Sequence, residues 1–450
     1  MRRDISSLSS FLCLGSALLI PVPAEAQSPA AAVPRPAIHG SYRGAFVRNG
    51  SVQLVDAQIG ARGDSLLIGI TSPDRPGRVT ALMQRDSTGR LTFRTWNGPA
   101  RLAFDSVNGE LIGPVGAEGG IMLHLRRMAA LPQVELSREE ITYSSAGAVM
   151  AATILRPVGI PVHAAIVFVA GRGCATRESG LRRLEQLAQY GIGGIAADTR
   201  GSGRSGGNCR FGTIDQFTDD AVAALAELRK RFNRDSTRFG FWGNSAGGWV
   251  VVQAHSRAPV DFLITSVGPA TSVEQQQRDN ATYVTRRLGF DSAATARALR
   301  YITLMFEPKA TQARYDEMMA TVQWARAIGF AREFMEDSDI PTSMAGLDSL
   351  WVALNRYDPG PVLRRLRIPM LAFFGGRDEV VPPAENVALL RSLAAAAGND
   401  RVRAVVVPDG DHGLFQPGGM QRLPGGVEYW RFGRNGGMII EEIVAFLRQP

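Results

Sequence analysis

Gly243-Asn244-Ser245-Ala246-Gly247 lies between a short apolar run, Arg238 to Trp242, and a helix-like run, Gly248 to Ala258. Strand, sharp turn and helix in that order are the setting that a G-x-S-x-G elbow requires, with the serine held clear at the tip of a strained turn. The glycines have a steric reason: a Cβ at Gly243 or Gly247 would collide with the neighbouring strand or helix. Whether the elbow carries chemistry depends on the partners that the rest of the chain supplies to Ser245.

The pentapeptide is not unique. Gly203-Arg204-Ser205-Gly206-Gly207 also matches it, and Gly201, Gly203 and Gly206 match the dinucleotide pattern G-x-G-x-x-G. Both matches fall in one loop after the apolar run Ile192 to Ala197, and the next helix begins only near Thr213. A dinucleotide site needs its glycines at the helix start and an acidic residue about 20 residues on, at the end of the next strand. Asp219 and Asp220 lie inside a helical pattern instead. Residues 201–207 therefore read as a flexible polar loop, and Ser245 as the nucleophile.

A serine hydroxyl needs a base to take its proton and an acid to orient that base. The chain has five histidines. His39 and His124 belong to an N-terminal segment with a β pattern, His163 precedes a buried run, and His255 lies on the helix after the elbow. His412, in Asp409-Gly410-Asp411-His412-Gly413, follows the strand-like run Val402 to Val407, where α/β sites are assembled. For the acid, Asp378 closes the buried run Met370 to Phe374 in Gly375-Gly376-Arg377-Asp378. Glu379 is expected to point elsewhere, and Asp411 stands too close to His412 in sequence to face its Nδ1. Glu379 and Asp409 are next in line as the acid. The order Ser245, Asp378, His412 is the one found on α/β-hydrolase sheets.

Oxyanion donors leave no side-chain signature. One is expected to be the backbone N–H of Ala246, directly after the serine. The other is expected after the continuous apolar run Ala164 to Ala170, which ends in Gly171-Arg172-Gly173-Cys174 and offers the N–H of Arg172. Losing such a donor costs about 3–4 kcal/mol in the barrier.

With these residues in place the chain resembles the α/β-hydrolase superfamily, and within it secreted bacterial serine esterases and acyl hydrolases with a small β domain in front. The resemblance rests on Gly171-Arg172-Gly173, Asp198-Thr199-Arg200-Gly201 with Ser205, and Thr213 to Asp220. It continues through Gly243 to Gly247, Gly375 to Asp378 with Val381-Pro382, and Gly410-Asp411-His412, spanning roughly residues 139 to 447. It implies catalytic roles for Ser245, Asp378 and His412 and a structural one for the Asp198/Arg200 loop. Asn244 and Cys174 depart from the residues common in relatives, which are histidine or glutamine and proline. Fold analogy alone names no substrate.

The chain of 450 residues is long for one domain. Residues 1–26 read as a signal peptide: Arg2 and Arg3, an apolar stretch from Leu8 to Ile20, and an A-x-A-like site at Ala24-Glu25-Ala26. Export to the periplasm or medium after cleavage near Ala26 is the expectation, with Cys13 leaving in the peptide and no stable membrane span elsewhere. Cys174 and Cys209 then stay in an oxidising compartment. A bridge between them would close 35 residues (209 − 174) and contribute roughly 4 kcal/mol; two free thiols are the alternative. The net charge of +8 comes almost wholly from scattered arginines, without the dense runs of a nucleic-acid face. No H-E-x-x-H and no CxxC is present, so neither a metal nor an organic cofactor is implied.

Residues 27–37 are an Ala/Pro-rich linker. Residues 38–130 change to short alternating runs with turns at Asp86-Ser87-Thr88-Gly89 and Asn108-Gly109, the pattern of a small antiparallel sandwich or barrel. Residues 131–450 begin with a hairpin, Glu139 to Ser145 and Val149 to Arg156, and then alternate strands with helices, which predicts a mostly parallel sheet. The helix from Thr213 to Phe232 aligns Phe217, Ala221, Ala224 and Leu228 on one stripe. At about 270–357 the alternation gives way to helical patterns with Tyr283, Phe306, Met318, Met319, Trp324 and Trp351, a natural lid insertion before the acid strand. Most of these side chains are expected to pack as core.

These readings lead to a serine hydrolase that cleaves a small-molecule carboxylic ester through an acyl-enzyme. A peptidase of the same fold, prolyl-oligopeptidase-like or an aminopeptidase, is the alternative. A non-catalytic binding protein is the rival from a different class, and the presence of all three partners argues against it.

Overall fold

The computed structural model describes residues 38–117, 120–129, 134–435 and 439–449. The expected signal peptide and linker lie outside the described residues.

Eight antiparallel strands close into a barrel: β1 (Gly40–Arg48), β2 (Ser51–Arg62), β3 (Ser65–Ser72), β4 (Arg75–Arg85), β5 (Leu91–Thr95), β6 (Gly98–Asp105), β7 (Glu110–Val115) and β8 (Ile121–Met128). Of the two architectures the alternation allows, the barrel forms because β8 pairs back onto β1, from Ser41↔Met128 to Val47↔Met122. Closure removes the free edges that an open sheet would expose. The turn joining β1 to β2 is Asn49-Gly50, with φ of 47° and 77°. Positive φ at both positions matches the right-handed twist of a two-residue hairpin. Asp86 holds the turn between β4 and β5 by accepting from the N–H groups of Thr88 and Arg90, at 2.9 and 3.0 Å. Inward positions are mostly apolar or aromatic, among them Tyr42, Phe46, Ile68, Leu102 and Leu123.

The second sheet has eight strands in the order β16-β15-β14-β13-β11-β12-β10-β9. They are β9 (Leu136–Ser145), β10 (Ala148–Pro157), β11 (Ala164–Val169), β12 (Ile192–Ala197), β13 (Arg238–Asn244), β14 (Phe262–Ser266), β15 (Met370–Gly375) and β16 (Val402–Val407). The expected hairpin is β9–β10; β10 also runs antiparallel to β12, and the remaining pairings are parallel. Strands from β11 to β15 are buried almost throughout because helices cover both faces. The chain passes from β11 to β12 on one side and returns to β13 on the other. The loops after β11 and β13 therefore diverge at a topological switch point, where α/β sheets open a crevice.

The helix after the loop 201–207 is α2 (Ile214–Arg229), preceded by α1 (Glu178–Ala188). Thr213 caps α2 by accepting from Gln216 N–H while the Gln216 side chain accepts from Thr213 N–H, a complete capping box. Ala221, Ala224 and Leu228 are buried as the stripe predicts, and Phe217 is half-buried. After α3 (Gly247–Arg257) and β14 come α4 (Val273–Arg287), α5 (Ser292–Phe306), α6 (Gln312–Ala327) and short turns to Leu354. Within this insertion Phe306, Met318 and Trp351 are buried in the main core.

One packing relationship was not anticipated. The segment after His412 folds as two small ribbons, β17 (Phe415–Gln416) with β20 (Arg434–Asn435) and β18 (Gly419–Arg422) with β19 (Glu428–Arg431). This strap lies within the span assigned by sequence to the hydrolase region, yet Phe432 belongs to the barrel core. Buried Gln53 donates to Gly433 O at 3.2 Å and accepts from Trp96 Nε1 at 2.8 Å. The Arg48 guanidinium sits 3.7 Å over the Trp430 ring, and Asn435 N–H donates to Asp74 O at 2.9 Å.

Candidate active site

Ser245 stands at the end of β13 with φ of 52°, a left-handed conformation rare for a residue with a Cβ. Backbone contacts hold it there: Ser245 N–H donates to Ser266 O at 2.8 Å, and Gly248 N–H donates to Ser245 O at 2.7 Å. A Cβ on Gly243 would lie 2.2 Å from Gly247 O, and one on Gly247 would lie 2.6 Å from Ala170 O. Both glycines are thus required by close backbone approach, as the sequence implied. Strain of this kind costs on the order of 1–3 kcal/mol and persists where surrounding structure over-determines it.

His412 arrives from the loop after β16. Its Nε2 is 2.8 Å from Ser245 Oγ, and its Nδ1 is 2.9 Å from Asp378 Oδ2. Asp378 is fully buried, and its Oδ1 accepts from the N–H groups of Val380 and Val381, each at 2.9 Å. Those two donors leave the carboxylate no rotational freedom and present its other face to the imidazole. The two loops are locked together, since Arg377 N–H donates to Gly410 O at 2.8 Å and a Cβ on Gly375 would meet Asp411 O at 2.3 Å.

The rival acids are engaged elsewhere. Glu379 pairs with Arg287 at 2.8 Å, and Asp409 pairs with Arg431 at 3.3 Å. Asp411 accepts from Gly413 and Phe415 N–H at 2.7 and 2.9 Å, so it shapes the histidine loop without facing the ring. His255 is half-buried on α3 and accepts from Val260 N–H; burial pushes its pKa below the ordinary value.

Gly171 brings the loop after β11 against the elbow: a Cβ there would lie 3.1 Å from Ser245 Cβ. Among the described residues, the backbone N–H groups of Arg172 and Ala246 have no protein acceptor. Both residues line a cleft of about 480 Å³ that also holds Ser245, His412, Trp249 and Trp351. The Arg172 side chain supplies what its sequence position did not reveal. It donates to Asp339 at 2.9 Å and to Ser338, and its guanidinium lies 4.2 Å over Trp351. Three groups of the insertion thereby grip the loop on which the candidate oxyanion donor sits. No motif flags Asp339, because it meets Arg172 from 167 residues away.

Cys174 and Cys209 form a disulfide, with Cα atoms 5.1 Å apart. It joins the loop after β11 to the loop after β12. Ser205, of the second G-x-S-x-G match, is buried; its Oγ donates to Asp198 O at 2.8 Å and accepts from Ala151 N–H at 2.9 Å. Its neighbours are an ionic framework. Arg177 clasps Asp198 through Nη2 at 3.0 Å, and Arg200 clasps Asp220 at 2.6 and 3.0 Å. Burial acts to raise the Asp198 pKa, but the Arg177 and Arg204 N–H groups and the Arg177 guanidinium hold it below the ordinary value. These charges stay within the fold and do not reach Ser245. Among the described residues no cluster of histidine, cysteine and carboxylate side chains could hold a metal ion, and no helix is long and apolar enough to cross a membrane.

Residues 160–416 match the hydrolase family described as serine aminopeptidase, S33, a span that includes Ser245, Asp378 and His412. Esterase EstD of Thermotoga maritima is 25% identical over 232 residues, which are 52% of this chain and 47% of that protein. The chain thus spans about half the length of the curated relative it matches. Among solved structures, a Pyrococcus furiosus esterase is 15% identical with a TM-score of 0.41, covering 64% of this chain and 90% of the other. A thermophilic esterase of Thermogutta terrifontis is 19% identical with a TM-score of 0.36, covering 61% and 91%. Because the matched span exceeds half of the chain, the protein belongs to this α/β-hydrolase family.

Proposed function

We propose that the protein is a serine esterase that hydrolyses carboxylic esters through an acyl-enzyme. The observation that carries this reading is the hydrogen-bonded chain Ser245–His412–Asp378, with 2.8 Å at the serine and 2.9 Å at the carboxylate. His412 Nε2 takes the Ser245 proton as Oγ attacks the ester carbonyl. The carbonyl oxygen becomes an oxyanion and receives hydrogen bonds from the N–H groups of Ala246 and Arg172. Asp378 keeps the proton of neutral His412 on Nδ1, so Nε2 is free to accept, and then stabilises the imidazolium. The intermediate collapses as His412 gives its proton to the alcohol oxygen. Water, deprotonated by the same nitrogen, then attacks the acyl-enzyme, and His412 returns that proton to Ser245 Oγ as the carboxylic acid departs.

The second reading is an aminopeptidase. It is favoured by the family's own description and by Glu336, an exposed carboxylate lining the cleft, whose charge suits a substrate α-ammonium group. A fluorophosphonate probe followed by parallel screens of p-nitrophenyl esters and aminoacyl p-nitroanilides separates the two. Labelling of Ser245 with ester turnover is the expected result. Anilide turnover alone would establish the peptidase, and folded protein that resists labelling would overturn both.

Export belongs to the same reading: the Arg2/Arg3 start, the apolar stretch and the Ala24-Glu25-Ala26 site support cleavage, and a disulfide suits an oxidising compartment. Mature protein recovered outside the cytoplasm should begin near Gln27.

A further inference from the structure

The cleft that contains Ser245 extends along α1 to Ser179 and Arg183. These two residues are four apart on one helix, so they occupy the same face, one turn above the other. Arg183 is half-buried, with its guanidinium 5.7 Å from the Phe168 ring and 5.8 Å from the Trp242 ring. Those aromatic walls take water from the cation without neutralising it. Among the described residues no carboxylate pairs with Arg183, and no hydrogen-bond acceptor reaches its guanidinium. Burial, reinforced by neighbouring Arg182, pushes its pKa below the ordinary value, the direction expected of a cation without a counter-ion. Among the described residues the Ser179 hydroxyl likewise makes no hydrogen bond.

Every other buried arginine bordering the site is committed. Arg172 is held by Asp339, Ser338 and Trp351; Arg177 by Asp198; Arg200 by Asp220. At the insertion rim of the cleft, Glu333 pairs with Arg287, while Arg332 and Glu336 are exposed and screened by solvent. A desolvated, unpaired guanidinium on a site wall is costly for folding and favourable only when an anion occupies it.

We propose that Arg183, with Ser179, recognises an ionised carboxylate on the substrate, so that the preferred esters are those carrying a second, free carboxylate. This deepens the esterase reading and rests on it. A planar guanidinium fits a carboxylate bidentately, and the Ser179 hydroxyl supplies a further donor. A carboxylate is favoured over a phosphate dianion because, among the described residues of the cleft, Arg183 is the one cation that is both shielded from solvent and without a counter-ion; Arg172 is paired and Arg332 is exposed. Arg182, the residue before it, is exposed and has its side chain against Gly77 of the barrel.

The test uses two matched substrate pairs with purified mature protein. One pair is mono-4-nitrophenyl adipate against 4-nitrophenyl hexanoate, which places the carboxylate on the acyl half. The other is 3-acetoxybenzoate against phenyl acetate, which places it on the departing half. The wild type should prefer the anionic member of at least one pair. In Arg183→Met that preference, as a ratio of kcat/KM, should fall ten-fold or more, chiefly through KM, and Arg183→Lys should recover part of it. Equal preference in wild type and Arg183→Met, or no anionic preference in either pair, would overturn the proposal. A second readout needs no turnover: adipate should slow fluorophosphonate labelling of Ser245 in the wild type and not in Arg183→Met. Labelling without ester turnover would sink the esterase reading while this protection still decides the role of Arg183. Absence of labelling in folded protein would overturn both.

Discussion

Phe432, in the strap that follows His412, places its ring 6.5 Å from that of Phe46 inside the β-barrel. The loop bearing the proposed catalytic base is therefore anchored to the other folding unit, through an aromatic side chain only 6% exposed. Phe432→Ala should cost about 3–5 kcal/mol of stability, as for other buried aromatic truncations. It should also slow fluorophosphonate labelling of Ser245, because His412 loses its anchor. A urea midpoint that drops while the labelling rate holds would show that the barrel stabilises the chain without steadying the site.

The two G-x-S-x-G serines should separate cleanly. Ser245→Ala should abolish labelling and hydrolysis and keep the fold, since among the described residues its Oγ bonds only to the His412 ring. Ser205→Ala leaves the buried Ala151 N–H without its acceptor, and should cost about 1–3 kcal/mol in unfolding free energy while Ser245 is still labelled. Labelling that survives the first change, or vanishes in a folded sample of the second, would reverse the assignment.

Asp378→Asn tests tautomer control. The Asn oxygen would face the Val380 and Val381 N–H groups, turning the amide NH₂ towards His412 Nδ1. The imidazole would then carry its proton on Nε2 and could not accept from Ser245. Turnover should fall on the order of 10⁴-fold with little change in circular dichroism. An active variant would move the orienting acid to another residue.

Joining residues 174 and 209 should contribute roughly 4 kcal/mol by loop closure. Cys174→Ser, or reduction of the wild type, should lower the urea midpoint accordingly. Both should raise KM, since Cys174 follows the Gly171-Arg172-Gly173 loop. Two thiols titrating in non-reduced, unfolded protein would contradict the bridge.

His255 gives stability a pH dependence of known sign. Its folded pKa is depressed by burial, and its neutral ring accepts from Val260 N–H. The unfolded chain, with a histidine pKa of about 6.5, binds the proton more readily. The contribution is fully present above that value and is lost as pH falls below it towards the folded pKa. Urea midpoints between pH 8 and 5 should fall less steeply for His255→Gln than for the wild type; parallel curves would assign the acid sensitivity elsewhere.

Much of the site was legible because its parts are local. The elbow glycines, the proposed acid at the end of β15 and the proposed base after β16 each sit at a strand terminus, and strand termini leave apolar runs that stop at glycine or proline. Ser205 was separable because no helix opens behind it. Other features were not legible, because nothing near them in sequence implies them. The Arg172–Asp339 pair joins residues 167 apart. The strap resembles any polar loop until Phe432 is seen in the barrel, and Gln53 reads as an ordinary strand residue until its amide meets Gly433 and Trp96.

By itself the sequence determined the elbow, the chain order of the proposed serine, acid and base, and the class of both sheets, while it left Cys174 and Cys209 open between a bridge and two thiols. Period-two and buried-strand patterns, and the steric demands of glycine, act over a few residues and so are written in neighbouring positions. Closure of the barrel over a sandwich, the docking of the strap on it, the side-chain grip on Arg172 and the unpaired state of Arg183 were decided only by the tertiary structure. They depend on which distant surfaces meet, and complementarity of shape and charge between segments hundreds of residues apart leaves no local pattern.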